Sequence, residues 1–118
     1  MQTAITISVI IVATLHMLFL VLEMFLWTKP SGRKIFGLKQ EFANATASLA
    51  ANQGLYNGFL AAGLIWGLVT NNHGINILIF FLCCVIIAGI YGAFTVKKSI
   101  FWIQAFPAII ALTLLTIS

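Results

Sequence analysis

Charged side chains are scarce in this chain, and aspartate is absent altogether. Only 7% of the 118 residues are charged, and the two acidic residues are Glu23 and Glu41. A soluble domain carries about a quarter charged residues, so this composition cannot supply a surface that water would cover. With 62% hydrophobic residues, the chain is suited to a lipid bilayer, and its length predicts one compact domain.

Cysteine is equally scarce, since the chain has only the adjacent pair Cys83 and Cys84. Neighbouring residues of a helix point about 100° apart, which argues against a disulfide between them. Two thiols without a nearby histidine also make a poor metal site. We therefore interpret both cysteines as packing residues, and we predict neither a metal nor a cofactor.

Basic residues outnumber acidic ones and give a net charge of +4. A nucleic-acid interface needs basic residues clustered with exposed aromatic residues on a soluble module. Here the cations flank apolar runs, a pattern typical of membrane proteins. The sequence predicts the lipid bilayer as a partner and excludes nucleic acid.

Four apolar runs predict four transmembrane helices, at about 4–27, 41–70, 75–96 and 100–117, and a helix needs about 20 residues to span a bilayer. Pro30 and Gly32 predict a loop after the first run, and Pro107 predicts a kink in the last one. The predicted fold is an all-α membrane protein, a single domain over residues 1–118 with its helices in an up-down bundle.

The basic residues predict the orientation of this bundle. They lie between spans one and two and between spans three and four: Lys29, Arg33, Lys34, Lys39, Lys97 and Lys98. With four spans, both basic segments fall on one side, which the positive-inside rule makes the cytosol. We therefore predict a multi-pass protein of the plasma membrane with cytoplasmic segments 28–40 and 97–99 and extracytoplasmic termini.

The second span combines small residues with amides in a way that predicts close packing. Its helix-packing candidates follow the Gly-x-x-x-Gly spacing or extend it: Gly54, Gly58, Ala62, Gly63 and Gly67. Such spacing lets two helices approach closely. Because its cytosolic half offers little surface to lipid, we predict a homo-oligomer, with a dimer favoured. The alternative is a single four-helix bundle in which the glycines pack against span one or three.

Polar side chains from all four spans fall at similar depths on the cytosolic side. They predict a polar intramembrane cavity, open to the cytosol, lined by His16, Glu23, Asn52, Gln53, Tyr56, Asn57, Tyr91 and Gln104. Glu23 could be a proton carrier, a general acid or a cation ligand. Alternatively, it is a structural glutamate bonded to Asn52 or Gln53. His16 could likewise contact a ligand or only form a hydrogen bond.

Three motifs carry a family resemblance. They are Leu-Glu-Met-Phe-Leu-Trp at 22–27, Gly-Arg-Lys-x-Phe-Gly-Leu at 32–38, and Ala-Asn-Gln-Gly-Leu-Tyr-Asn-Gly-Phe-Leu-Ala-Ala-Gly at 51–63. With these motifs the chain resembles a bacterial family of small membrane proteins, domain of unknown function 1304. The resemblance implies an integral membrane protein and supplies no activity and no catalytic residues.

The sequence favours binding of a small amphiphilic molecule in the predicted cavity. The sequence does not decide whether the protein is an enzyme. No nucleophile–base pair appears at helical spacing, which argues against one. A small proton-coupled transporter or efflux protein that uses Glu23 is one alternative. A subunit of a membrane complex that assembles through its glycine face is another.

Overall fold

The computed structural model describes all 118 residues and is helical throughout, which confirms the predicted all-α class. The chain has no strand. Its elements are α1 (Gln2–Met24), α2 (Pro30–Phe36), α3 (Gln40–Val69), α4 (Gly74–Thr95), a π-helical turn (Phe101–Ala105) and α5 (Phe106–Ile117).

The segment after the first apolar run differs from the sequence prediction. The loop predicted from Pro30 and Gly32 is instead the short helix α2, and α1 ends at Met24. Proline lies in the first turn of α2, where its missing N–H removes no intrahelical bond and its fixed φ suits a helix. Gly37 ends α2 with φ at 67°, a left-handed conformation that glycine adopts without a Cβ clash.

The backbone before Pro107, where the sequence predicts a kink, contains an irregular turn. Phe101–Ala105 is a π-helical turn, and the N–H of Phe106 donates to the carbonyl of Phe101, five residues earlier. Pro107 follows in the first turn of α5, where the missing proline donor is tolerated. The irregularity therefore precedes the proline.

The larger of two compact units contains Met1–Leu15 and Leu60–Ser118. Its core is aliphatic and draws on four helices: Ile5, Val9 and Val12 from α1, Ala61 and Leu64 from α3, Leu78, Leu82 and Val85 from α4, and Ala108, Ala111 and Leu115 from α5. Their spacing of three or four residues places them on one face of each helix. The core residues of α5 are mainly alanines, which allow a close approach.

Glycines bring helices together within this unit. Gly63 faces the ring of Phe81, and Gly67 faces the side chain of Leu78, so the C-terminal part of α3 packs against α4. Gly89 of α4 faces the backbone of Ala105. A Cβ at Gly89 would meet the backbone of Ala105 and force the helices apart, whereas a Cβ at Gly63 or Gly67 would crowd the side chain of Phe81 or Leu78.

The smaller unit is His16–Phe59, which contains the end of α1, all of α2 and the first part of α3. Here α1 and α3 are antiparallel. Gly58 faces Leu20, and Gly54 faces Leu20, Glu23 and Met24. The missing Cβ atoms let the two backbones approach closely at the level of Glu23.

Two helices, α1 and α4, are long and apolar enough to cross a membrane by length and composition. Helix α3 has 30 residues but interrupts its apolar sequence with Asn52, Gln53 and Asn57. The apolar helix Phe101–Ile117 is shorter than α1 and α4.

Candidate functional site

The candidate site is a pair of polar side chains between α1 and α3 in the smaller unit. The Asn57 Nδ2 donates a hydrogen bond of 2.5 Å to the Glu23 Oε1. Asn57 is only 5% exposed, whereas Glu23 is half-buried. An amide and a carboxylate thus meet among apolar and small residues, where an unanswered polar group would be costly.

The partner of Glu23 differs from the predicted Asn52 or Gln53. Helical side chains point back toward the N-terminus of their own helix. Glu23 therefore reaches back along α1 toward the level of Leu20, which lies opposite Gly58 of the antiparallel α3. Asn57 precedes Gly58 and meets the carboxylate at that level. Asn52 and Gln53 lie one turn or more away along α3 and are exposed.

The remaining predicted lining residues occupy different surroundings. His16 is fully buried and makes an edge contact with Phe19 at 5.5 Å between ring centroids, whereas Tyr56 is exposed. In the larger unit, Tyr91 is exposed and Gln104 is half-buried. No buried side-chain nitrogen or oxygen lacks a hydrogen-bond partner, so the buried polar groups of this chain are internally satisfied.

The predicted packing glycines lie against helices of the same chain. Gly54 and Gly58 contact α1, and Gly63 and Gly67 contact α4. Ala62, predicted for the same packing surface, is exposed. Contacts within the chain therefore occupy the glycine faces.

Trp27 forms a second polar contact, which was not predicted from the sequence. Its indole Nε1 donates to the Thr46 Oγ1 at 3.0 Å, and the Thr46 hydroxyl donates to the Phe42 carbonyl at 2.7 Å. The Trp27 ring also lies 5.0 Å from that of Phe36. A tryptophan after an apolar run predicts a position at the membrane surface, but it does not identify a partner 19 residues away.

We expect Trp27→Phe to lower the free energy of unfolding by about 1 kcal/mol, because the hydrogen bond to Thr46 is lost while the contact with Phe36 can persist. Titration with sodium dodecyl sulfate in mild detergent, followed by circular dichroism, measures the change. Trp66→Phe is the control, because Trp66 is an exposed tryptophan of the larger unit. Equal losses in the two variants would contradict a role for the Thr46 bond.

An open groove of about 400 Å³ lies where α3 is followed by α4. It is lined by Trp66, His73, Asn76, Ile77, Phe80 and Phe81. None of the predicted ligand-binding residues is among them. No three His, Cys, Asp or Glu side chains are grouped as a metal site would require, and Cys83 and Cys84 are free thiols.

The chemistry available at the pair follows from its hydrogen bond. Asn57 occupies one oxygen of the Glu23 carboxylate, and a carboxylate has acceptor positions for several donors. The neutral amide leaves the charge of an ionised carboxylate uncompensated. The pair can therefore accept hydrogen bonds from a polar molecule, or attract a cation, at the half-buried edge of Glu23.

Comparisons with known proteins place the chain among relatives of unknown function. The family described as "Protein of unknown function (DUF1304)" matches residues 10–116. The uncharacterized protein YpaA of Lactococcus lactis subsp. lactis (strain IL1403) is 29% identical over 114 residues, covering 94% of this chain and 96% of the relative. No solved structure matches the chain.

Proposed function

This chain belongs to the DUF1304 family of proteins of unknown function, and we propose that it is a multi-pass membrane protein that binds a small amphiphilic molecule at the Glu23–Asn57 pair. The observation that carries this proposal is the hydrogen bond between the two side chains. Intramembrane carboxylates are rare and usually serve a function, because a charge in hydrocarbon is costly.

The membrane placement rests on exposed apolar side chains as well as on helix length. Ile7, Ile10 and Leu18 of α1 and Phe80 and Ile87 of α4 are all exposed. Soluble proteins rarely expose apolar surface of this extent, whereas lipid chains accommodate it. In the proposal, α3 and the helix Phe101–Ile117 supply the other two spans of a plasma-membrane protein. The basic segments 28–40 and 97–99 then face the cytosol and both termini face outward.

The ligand is best matched by a molecule with a cationic or hydrogen-bond-donating end and an apolar body. The donating end would bind Glu23, because the carboxylate has acceptor capacity beyond its bond from Asn57. The apolar body would lie along the exposed aliphatic surface of α1. Asn52, Gln53 and Tyr56, all exposed, would extend the polar surface on α3.

A homodimer is part of the proposal, because the exposed amides of α3 need polar partners in lipid. Asn44, Ser48 and Asn52 are exposed along one face of this helix, and each can both donate and accept hydrogen bonds. The same face of a second copy would satisfy them. Disulfide crosslinking of an Asn52→Cys variant that also carries Cys83→Ser and Cys84→Ser, which removes the two native thiols, should give a covalent dimer in native membranes. A persistent monomer would count against the dimer.

We expect Glu23→Gln to reduce binding of dodecylamine at least tenfold, since the substitution removes the charge and retains a hydrogen-bonding group. Native mass spectrometry of the purified protein in mild detergent measures the bound amine, with dodecanol as a neutral probe of the same length. Glu41→Gln is the matched control, because Glu41 is the other acid and is exposed at the start of α3. Equal amine binding by the two variants would refute the proposed site.

Proton-coupled transport is a second candidate, favoured by the absence of a basic partner for Glu23. A half-buried carboxylate bonded only to a neutral amide could exchange a proton with a passing substrate. The test measures uptake of dodecylamine by proteoliposomes with a pH gradient. If the protein is a transporter, Glu23→Gln should abolish this uptake and Glu41→Gln should not. Amine binding without such uptake would favour the binding function alone.

A further inference from the structure

The connection between α1 and α3, residues 28–40, concentrates positive charge on a folded segment. We propose that this segment, the basic cap, binds the anionic headgroups of membrane phospholipids. The inference concerns a surface other than the Glu23–Asn57 pair and does not depend on the proposed ligand.

The charge of the basic cap is of one sign. It contains Lys29, Arg33, Lys34 and Lys39 within 13 residues and no acid, and Glu41 follows it. The three lysines are exposed, and Arg33 is half-buried. Clusters of four or more basic residues next to a membrane helix attract anionic lipids, each cation improving binding about fivefold near the surface.

The structure holds these cations on an ordered scaffold. Gly32 is buried against the backbone of Leu26, which leaves no space for a side chain there. The Arg33 Nε donates to the Thr28 carbonyl at 3.2 Å, and the Gln40 Nε2 donates to the same carbonyl at 3.3 Å. The bond through Nε leaves the two terminal nitrogens of the Arg33 guanidinium for a phosphate oxygen.

Orientation on α2 separates the charge from the buried side. Residues that are two positions apart on a helix point about 200° apart. Lys34 therefore points nearly opposite to the buried Gly32. Lys34 is therefore directed away from the contact between α2 and Leu26. The fold as well as the composition therefore creates the cationic surface, because it buries Gly32 and exposes Lys34.

Apolar side chains beside the cations identify the source of the anion as lipid. Ile35, next to Lys34, is 62% exposed, and Phe42 is 55% exposed. Residues of this kind would gain from burial among acyl chains at the membrane surface. A free phosphate ion or a soluble acidic molecule would leave both side chains in water, so the pairing fits a phospholipid.

The test compares lipids retained by the purified full-length protein in mild detergent. Native mass spectrometry would count bound phosphatidylglycerol and phosphatidylcholine supplied as an equimolar mixture. We expect the protein to prefer phosphatidylglycerol, and we expect Lys34→Gln/Lys39→Gln to lower that preference by more than tenfold. Measurement on purified protein avoids any change of membrane orientation caused by lost cytosolic charges.

The matched control is Lys97→Gln/Lys98→Gln, which removes the same charge from another exposed segment. A preference that persists in this control supports the basic cap. An equal loss in both variants would overturn the proposal, because retention would then follow net charge. Displacement of phosphatidylglycerol by equimolar inorganic phosphate would also overturn it, since the site would then be specific for phosphate alone.

A conservative variant separates charge from folding. Lys34→Arg/Lys39→Arg keeps both charges, so we expect retention of phosphatidylglycerol within about twofold of the original protein. Circular dichroism should give the same helical signal for this variant and for Lys34→Gln/Lys39→Gln. Lost retention in the arginine variant with an unchanged helical signal would contradict an electrostatic interaction with the cap.

Discussion

Replacing Asn57 by leucine is expected to lower the free energy of unfolding by about 1.5–3 kcal/mol, the range for losing a hydrogen bond to a charged group. Leucine has a similar size and removes the donor to Glu23, so the carboxylate would stay between α1 and α3 without its partner. The same substitution should weaken retention of dodecylamine, because the carboxylate of Glu23 loses the hydrogen bond that orients it. Titration with sodium dodecyl sulfate in mild detergent measures stability, and native mass spectrometry measures retention.

Two further variants separate the pair from a general effect of lost polarity. Asn76→Leu removes an exposed amide of α4, and we expect a change within about 0.5 kcal/mol. Glu23→Leu/Asn57→Leu removes both partners and should restore most of the stability, because no unpaired polar group is left. A double variant as unstable as Asn57→Leu alone would show that the hydrogen bond contributes little.

Replacing Gly89 by alanine is expected to destabilise the larger unit by about 2–3 kcal/mol. An added Cβ would lie 2.6 Å from the Ala105 nitrogen and 3.0 Å from its Cα. Because both are backbone atoms, relief requires the π-helical turn to move away from α4. The gain in helix propensity, about 1 kcal/mol for alanine over glycine, offsets only part of this loss.

Gly92→Ala provides a control one turn later on α4. There an added Cβ would lie 3.0 Å from the Ile100 Cγ2, and that side chain can shift. We therefore expect a change near zero, since the propensity gain compensates for mild crowding. Thermal unfolding in detergent, followed by circular dichroism, distinguishes the variants. Similar midpoints for Gly89→Ala and Gly92→Ala would contradict the close approach of Ala105.

Several features of this protein follow from its sequence alone. The all-α class follows from long apolar runs, and the turn at 71–73 between α3 and α4 follows from three consecutive polar residues. Family membership follows from motifs such as residues 51–63, which occur in the part of the chain that the family matches. These features depend on local composition and spacing, which a linear sequence records directly.

Other features were decided only by tertiary structure. The sequence identified Glu23 as the unusual carboxylate, but its donor could be any of several nearby amides on α3. Antiparallel packing across Gly54 and Gly58 selected Asn57, because helix register and the direction of side chains determine which groups meet. The π-helical turn before Pro107 likewise lies against Gly89 of α4. Local propensity cannot specify contacts between residues so far apart in the chain.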